Sequence, residues 1–306
     1  MDKLRIGLIG AGVFGGYHAQ KIVASDAADF VGVSDFSADA REALIAKVGE
    51  GDGFAETGAL IDASDAVIIA TPATTHADFV EQCLRAGRHV LVEKPLALTG
   101  ATAEKLAALA VQDNLVLQVG HQERFVFKAM GVLGAGEQPT YVEARREAPP
   151  SPTGRCEDVS VVFDLMIHDI DLAAALLGHD LSVLDVQGRS AQTNLLDEAS
   201  ATLSGPGGKA KLRASRCAQE RKRTMLIDYP SGRVEIDFLA RTVLNETPFD
   251  IKLDVSEELP DPLQAADEAF IAACLGRGAS PIPGTVGARA AKLAEAIENA
   301  AAIPAT

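Results

Sequence analysis

The sequence predicts an α/β protein in two parts. The first is a doubly wound parallel sheet. The second is an α+β domain with a large, mostly antiparallel open sheet. Three observations carry this. Over residues 1–121, apolar strand-like runs alternate with helical patterns. After His121, extended runs dominate and are joined by short turns rich in Gly and Pro. At the start of the chain, Leu4–Ile9 runs straight into Gly10-Ala11-Gly12-Val13-Phe14-Gly15, a G-x-G-x-x-G turn that opens a helical pattern.

In the first part the strand-like runs are 4–9, 28–34, 66–70, 89–92 and 115–119, with helical patterns at 15–24, 38–48, 76–86 and 100–111. Strands that alternate with helices of this length form βαβ units, because a parallel neighbour is reached only by a crossover. A dinucleotide-binding domain is expected over 1–121 and a substrate and oligomerisation domain over 122–306. The second part opens with a helix over 123–134. Extended segments follow at 140–147, 182–190, 198–204, 209–216, 223–229, 233–240 and 249–255. Gly205-Pro206-Gly207-Gly208 and Pro230-Ser231-Gly232 read as hairpin turns. Helices are expected at 163–177, 262–276 and 285–301, and the last two are free to pack back on the first domain.

Composition narrows the function. The 306 residues are 47% hydrophobic, enough for a substantial core, and the net charge is −15. That balance argues against nucleic acid or an anionic membrane surface as partner. Cysteines at 83, 156, 217 and 274 show no C-x-x-C spacing, so buried, reduced thiols are expected. With no leader-like segment or bilayer-length apolar run, the expected location is cytoplasmic.

The Gly-rich turn has a mechanical reading. Gly10 permits the tight turn, Gly12 leaves room for a pyrophosphate, and Gly15 lets helix and strand pack closely. The helix start at Val13 and Phe14 offers N–H groups and the positive end of its dipole to phosphate. Asp35 closes the next apolar run and can accept from both ribose hydroxyls. It would repel a 2′-phosphate, so NAD is favoured, with NADP possible. The strand ends also carry Thr71-Pro72, Glu93-Lys94 and Gly120-His121. Ligands of open parallel sheets bind beyond such ends, so these positions should surround one crevice.

Were the expected dinucleotide to serve alcohol oxidation, the chemistry would need, beside this hydride acceptor, a base for the hydroxyl proton and a donor for the developing alkoxide. His168 is the candidate base, since its ordinary pKa lies near working pH. Asp164 precedes it by one helical turn and shares its face, where it could orient the ring or contact a hydroxyl. Lys94, at a strand end, would donate to the reacting oxygen. His121 and Arg124 lie on the substrate side. Glu93 either bonds a ribose or pairs with a cation, and His76 is either a helix-start residue or a cofactor contact. Asp164, His168, Asp169 and Asp171 do not make a metal set, because Asp169 and Asp171 point elsewhere on the helix and no third ligand stands out. The basic run Arg221-Lys222-Arg223, with Arg213 and Arg216, reads as a solvated hairpin face.

Taken in order, Gly10–Gly15, Ala70-Thr71-Pro72 with His76, Glu93-Lys94-Pro95 and Asp164-Leu165-Met166-Ile167-His168-Asp169 resemble the glucose–fructose oxidoreductase, inositol dehydrogenase and MocA family. The resemblance implies an N-terminal Rossmann domain, an oligomerising C-terminal sheet, and reversible hydride transfer between NAD(P) and a hydroxyl-bearing carbon of a sugar or cyclitol. It also implies that Lys94, Asp164 and His168 form the catalytic group and that Thr71-Pro72 borders a cofactor ribose. Gly120-His121-Gln122-Glu123-Arg124-Phe125 and the stretch 164–171 look most like the branch that oxidises C3 of UDP-N-acetyl sugars. Val126-Phe127 stands where that branch typically has Asn-Pro. Two other readings of the same fold stay open: an enzyme that uses NAD without net redox, by transient oxidation, and a dinucleotide-sensing protein without chemistry.

Overall fold

The computed structural model describes residues 3–151 and 158–301. The first half runs β1 (Leu4–Ile9), α1 (Val13–Ala24), β2 (Ala28–Ser34), α2 (Ala38–Val48), β3 (Asp52–Phe54), α3 (Thr57–Ala63), β4 (Ala66–Ile69), α4 (His76–Arg85), β5 (His89–Val92), α5 (Gly100–Gln112) and β6 (Leu117–Val119). There follow α6 (Glu123–Ala129), β7 (Tyr141–Glu147), α7 (Ile167–Leu177), β8 (Ser182–Arg189), β9 (Glu198–Gly205), β10 (Gly208–Ser215), β11 (Lys222–Tyr229), β12 (Gly232–Asp237), β13 (Thr242–Asn245), α8 (Pro262–Cys274) and α9 (Gly284–Ala301). The chain divides into two units, residues 1–121 with 261–288 and residues 122–260 with 289–306.

In the first unit the strand order is β3-β2-β1-β4-β5-β6, and every pairing is parallel. The order reverses between β1 and β4, which makes that pair the switch point where such sheets bind ligands. Both faces are covered, so the central strands are apolar throughout rather than alternating. Leu8, Val67, Ile68, Ile69, Val90 and Val92 are fully buried. Phe270 and Ile271 of α8 join Leu8, Ile22, Ile68 and Leu91 in one core cluster. Asp261 caps α8 by accepting from the N–H groups of Leu263 and Gln264, and Pro262 occupies the first turn.

The second unit holds a seven-stranded sheet in the order β13-β12-β11-β7-β10-β9-β8. Among the described residues of this sheet only β7 and β10 pair in parallel. Here burial alternates, as expected for a sheet covered on one face. Val142, Ala144, Ala210, Leu212, Met225 and Ile227 point inward. Glu143, Arg145, Thr224, Leu226 and Arg213 line the opposite, open face.

Three local expectations need correction. The helix expected over 123–134 stops at Ala129, because Gly131 adopts a left-handed φ of +83°. The segment 249–255 is not a strand. Lys252 instead donates its N–H to the Met130 carbonyl, and a Cβ at Gly131 would lie 2.6 Å from the Asp250 carbonyl oxygen. The seventh strand is Thr242–Asn245. In the first unit, β3 and α3 went unread: β3 is a three-residue edge strand of Asp52-Gly53-Phe54, too short and polar to show a pattern. Cys83 is buried and Cys217 and Cys274 are half-buried, all unpaired, while Cys156 lies outside the described residues. Among the described residues no helix is long and apolar enough to cross a membrane.

Candidate active site

The first unit presents its functional residues at the carboxyl ends of β1, β2, β4, β5 and β6. Gly10 has a φ of +104°, and a Cβ there would lie 2.6 Å from the Ala70 carbonyl oxygen, so only glycine lets β1 turn beside β4. At Gly15 a Cβ would collide with the Gly10 carbonyl, which accounts for the close packing of α1 on the turn. Gly12 is different: a Cβ there meets nothing within 4 Å. A side chain at Gly12 would fill space over the start of α1, where no side chain caps the helix and no acid occupies the first turn. That is the cradle a pyrophosphate requires. Val13 and Phe14, both exposed, form the helix start.

Asp35 is aimed at the same turn. One carboxylate oxygen accepts from the Ala11 N–H at 2.8 Å and the other from the Ser37 N–H at 2.9 Å. These bonds fix the carboxylate beside the Gly-rich loop, as a ribose acceptor must be fixed. The residues present therefore fit a dinucleotide.

Thr71 Oγ1 accepts from the Thr75 hydroxyl at 2.8 Å. His76 is the first residue of α4. It is buried, and its nitrogens lie 2.7 Å from the Pro95 carbonyl oxygen and 2.9 Å from that of Thr71. Burial lowers its pKa against the pull of these carbonyls. The ring ties the loop after β4 to the loop after β5. Glu93 is nearly buried at the end of β5, next to Lys94 and the cis Lys94-Pro95 peptide. His121 is buried where β6 ends.

In the second unit the residues around His168 form an ionic network. A π-helical turn over Val162–Met166 leads into α7, and such turns occur often at functional sites. Asp164 and His168 remain partly exposed while Val162, Phe163, Met166 and Ile167 are buried. His168 Nδ1 lies 3.3 Å from Glu123 Oε1. Glu123 in turn accepts from Arg146 at 3.0 and 2.8 Å and from Arg223. Burial works to raise the Glu123 pKa, but Arg146, His168 and Arg223 hold it far below the ordinary carboxylate range. Glu123 is thus an anion set against the imidazole, the arrangement that steadies a ring that must gain a proton.

Asp169 and Asp171 are buried and face away, as their helix positions require. Asp169 accepts from Arg146 at 3.2 and 2.8 Å. Asp171 accepts from Arg124 at 2.7 and 2.8 Å, so the guanidinium expected on the substrate side is held by a carboxylate in its own unit. Glu123 itself was missed by sequence reasoning. It stood inside a quoted motif, but the arginines that define it come from β7 and β11. The basic run is not uniformly solvated either: Arg223 reaches Glu123 and stacks 5.2 Å from the Phe238 ring, and Arg216 is buried against the Val159 carbonyl.

Residues 4–121 match the oxidoreductase family with an NAD-binding Rossmann fold. The UDP-N-acetylglucosamine 3-dehydrogenase of Acidithiobacillus ferrooxidans is 38% identical over 247 residues, 79% of this chain and 77% of that one. The chain belongs to this family. An inositol 2-dehydrogenase of Rhizobium meliloti is 33% identical over 188 residues, 58% of this chain and 56% of that one. The solved structure of the A. ferrooxidans 3-dehydrogenase superposes with a TM-score of 0.86 at 33% identity, with 98% of each chain covered. The protein is accordingly a nicotinamide-dependent dehydrogenase acting on a hydroxyl-bearing carbon of a sugar, cyclitol or nucleotide sugar, with NAD as cofactor.

Proposed function

We propose that the chain oxidises the C3 hydroxyl of a UDP-N-acetylhexosamine, with His168 as base and Lys94 as donor to the reacting oxygen. The observation that carries the base assignment is the Glu123 carboxylate 3.3 Å from His168 Nδ1, itself held by two arginines. A ring so paired accepts the hydroxyl proton at Nε2 and keeps it against a fixed counter-charge. Asp164, on the same open face one turn earlier, contacts a neighbouring hydroxyl and orients the sugar. Lys94 supplies positive charge to the developing alkoxide. Gly10, Gly12, Val13, Phe14, Gly15, Asp35, Thr71, Pro72 and Glu93 serve the cofactor, which supplies the hydride acceptor when bound. The substrate class rests on the 38% identity to a UDP-N-acetylglucosamine 3-dehydrogenase across 79% of the chain and on the motifs at 120–125 and 164–171. The proposal extends to a homo-oligomer assembled through the open face of the seven-stranded sheet.

The test is a panel of nucleotide sugars, free sugars and cyclitols read by NADH absorbance, with NAD and NADP in parallel. A UDP-N-acetylhexosamine should give the highest kcat/KM. Lys94→Met should lower kcat by about a hundredfold or more while calorimetry still shows NAD binding. Preference for a cyclitol would overturn the substrate class, and near-normal kcat in the Met variant would remove Lys94 from the chemistry. Substrate turnover with no net NADH would instead select the non-redox reading.

A further inference from the structure

We propose that Asp267 and His18 form a buried relay that positions Glu93, and with it the strand end carrying Lys94, for hydride transfer; the inference rests on the role given to Lys94 above. His18 lies on α1 and is fully buried. Its Nδ1 sits 2.9 and 3.0 Å from the two oxygens of Asp267, and its Nε2 lies 3.2 Å from Glu93 Oε1. An imidazole with a carboxylate at each nitrogen donates from both, so the ring is a cation between two anions. Asp267 is 1% exposed and comes from α8, far along the chain. Gly120, at the end of β6, makes room for the cluster, since a Cβ there would lie 2.9 Å from Glu93 Oε1.

Three segments thus meet behind one strand end: α1, β5 and α8. A purely structural contact there would be served as well by apolar side chains, because burying charges carries a desolvation penalty that packed hydrocarbon avoids. Buried ionic groups with perturbed pKa values cluster at functional sites, where they hold and tune reacting residues. The charge balance also fits. Two carboxylates and one imidazolium leave one negative charge beside Lys94. The further titratable groups facing the cluster are Asp261 toward Asp267, and Lys94 and His76 toward Glu93; burial pushes the Asp267 carboxyl up while His18 pulls it down. Burial alone would lower the His18 pKa; Asp267 and Glu93 override it and push it up to about 10.

Two measurements test the relay. In the full chain without substrate, nitrogen NMR of the histidine rings should show His18 protonated at both nitrogens from neutral pH until it titrates at about 10. Because this pKa lies above the unfolded value, the stability gained is complete below about pH 6.5 and is lost as pH rises toward the folded value. Asp267→Asn should flatten that slope. In steady state the same variant should lower kcat about ten- to a hundredfold and leave KM for the sugar within about threefold, because displacement of a reacting group is felt in the chemical step. Asp267→Glu should restore part of kcat. A singly protonated His18 at neutral pH overturns the proposal. So does an Asp267→Asn enzyme that loses stability but keeps kcat. If Asp267→Asn does not fold, the wild-type titration and the Asp267→Glu kinetics decide. Should the wild type turn over no nucleotide sugar, the substrate reading fails while the titration still judges the relay.

Discussion

At the scale of single residues, the glycines of the first turn have separable tasks. Gly15 is required by packing, since its Cβ would meet the Gly10 carbonyl, whereas Gly12 faces open space. Gly15→Ala should therefore cost about 1–3 kcal/mol in denaturant unfolding, as overpacking does. Gly12→Ala should melt close to the wild type and yet bind NAD at least about tenfold more weakly, since the lost room is room for the pyrophosphate. Equal stability losses in the two variants would contradict the cradle. Residue types alone announced Gly10, Gly12, Gly15 and Asp35, because their spacing along one strand–turn–helix unit is itself the signal. Glu123 and Asp267 were not legible. Each acquires its meaning from partners on other elements, Arg146 and Arg223 for the one and His18 for the other.

Among the elements, parallel strands and crossover helices were readable because full burial leaves unbroken apolar runs between helical patterns. Short or polar pieces were not: β3 has three residues, and 249–255 alternates like a strand yet runs along the end of α6. The element whose placement matters most is α8. Phe270 is fully buried in the cluster formed by β1, β2, β4, β5, α1 and α2, and Asp267 on the same helix holds His18. Phe270→Ala should cost about 3–5 kcal/mol, the usual range for removing a buried aromatic ring. The loss should appear as a lower urea midpoint at unchanged slope. A loss below about 1 kcal/mol would mean that α8 is peripheral to the first unit's core.

For the whole molecule, the open face of the seven-stranded sheet carries Glu143, Arg145, Thr224, Leu226 and Leu244, a mixture of charge and apolar surface suited to a second copy. Light scattering should give a multiple of the 31.9 kDa chain mass, and Leu226→Asp should shift it toward a single chain with unchanged circular dichroism. A wild type that runs as one chain would remove this face as an interface. The sequence by itself determined the fold class and the family, because these rest on local periodicity and on short motifs, each compact along the chain and met in a fixed order. Tertiary structure alone decided that residues 261–288 complete the first unit, that Glu123 is the counter-charge of His168, and that His18 lies between two carboxylates. The physical reason is range. Strand, helix and turn propensities act over a few residues, whereas an ion pair or a core contact is set only when distant segments are folded against each other.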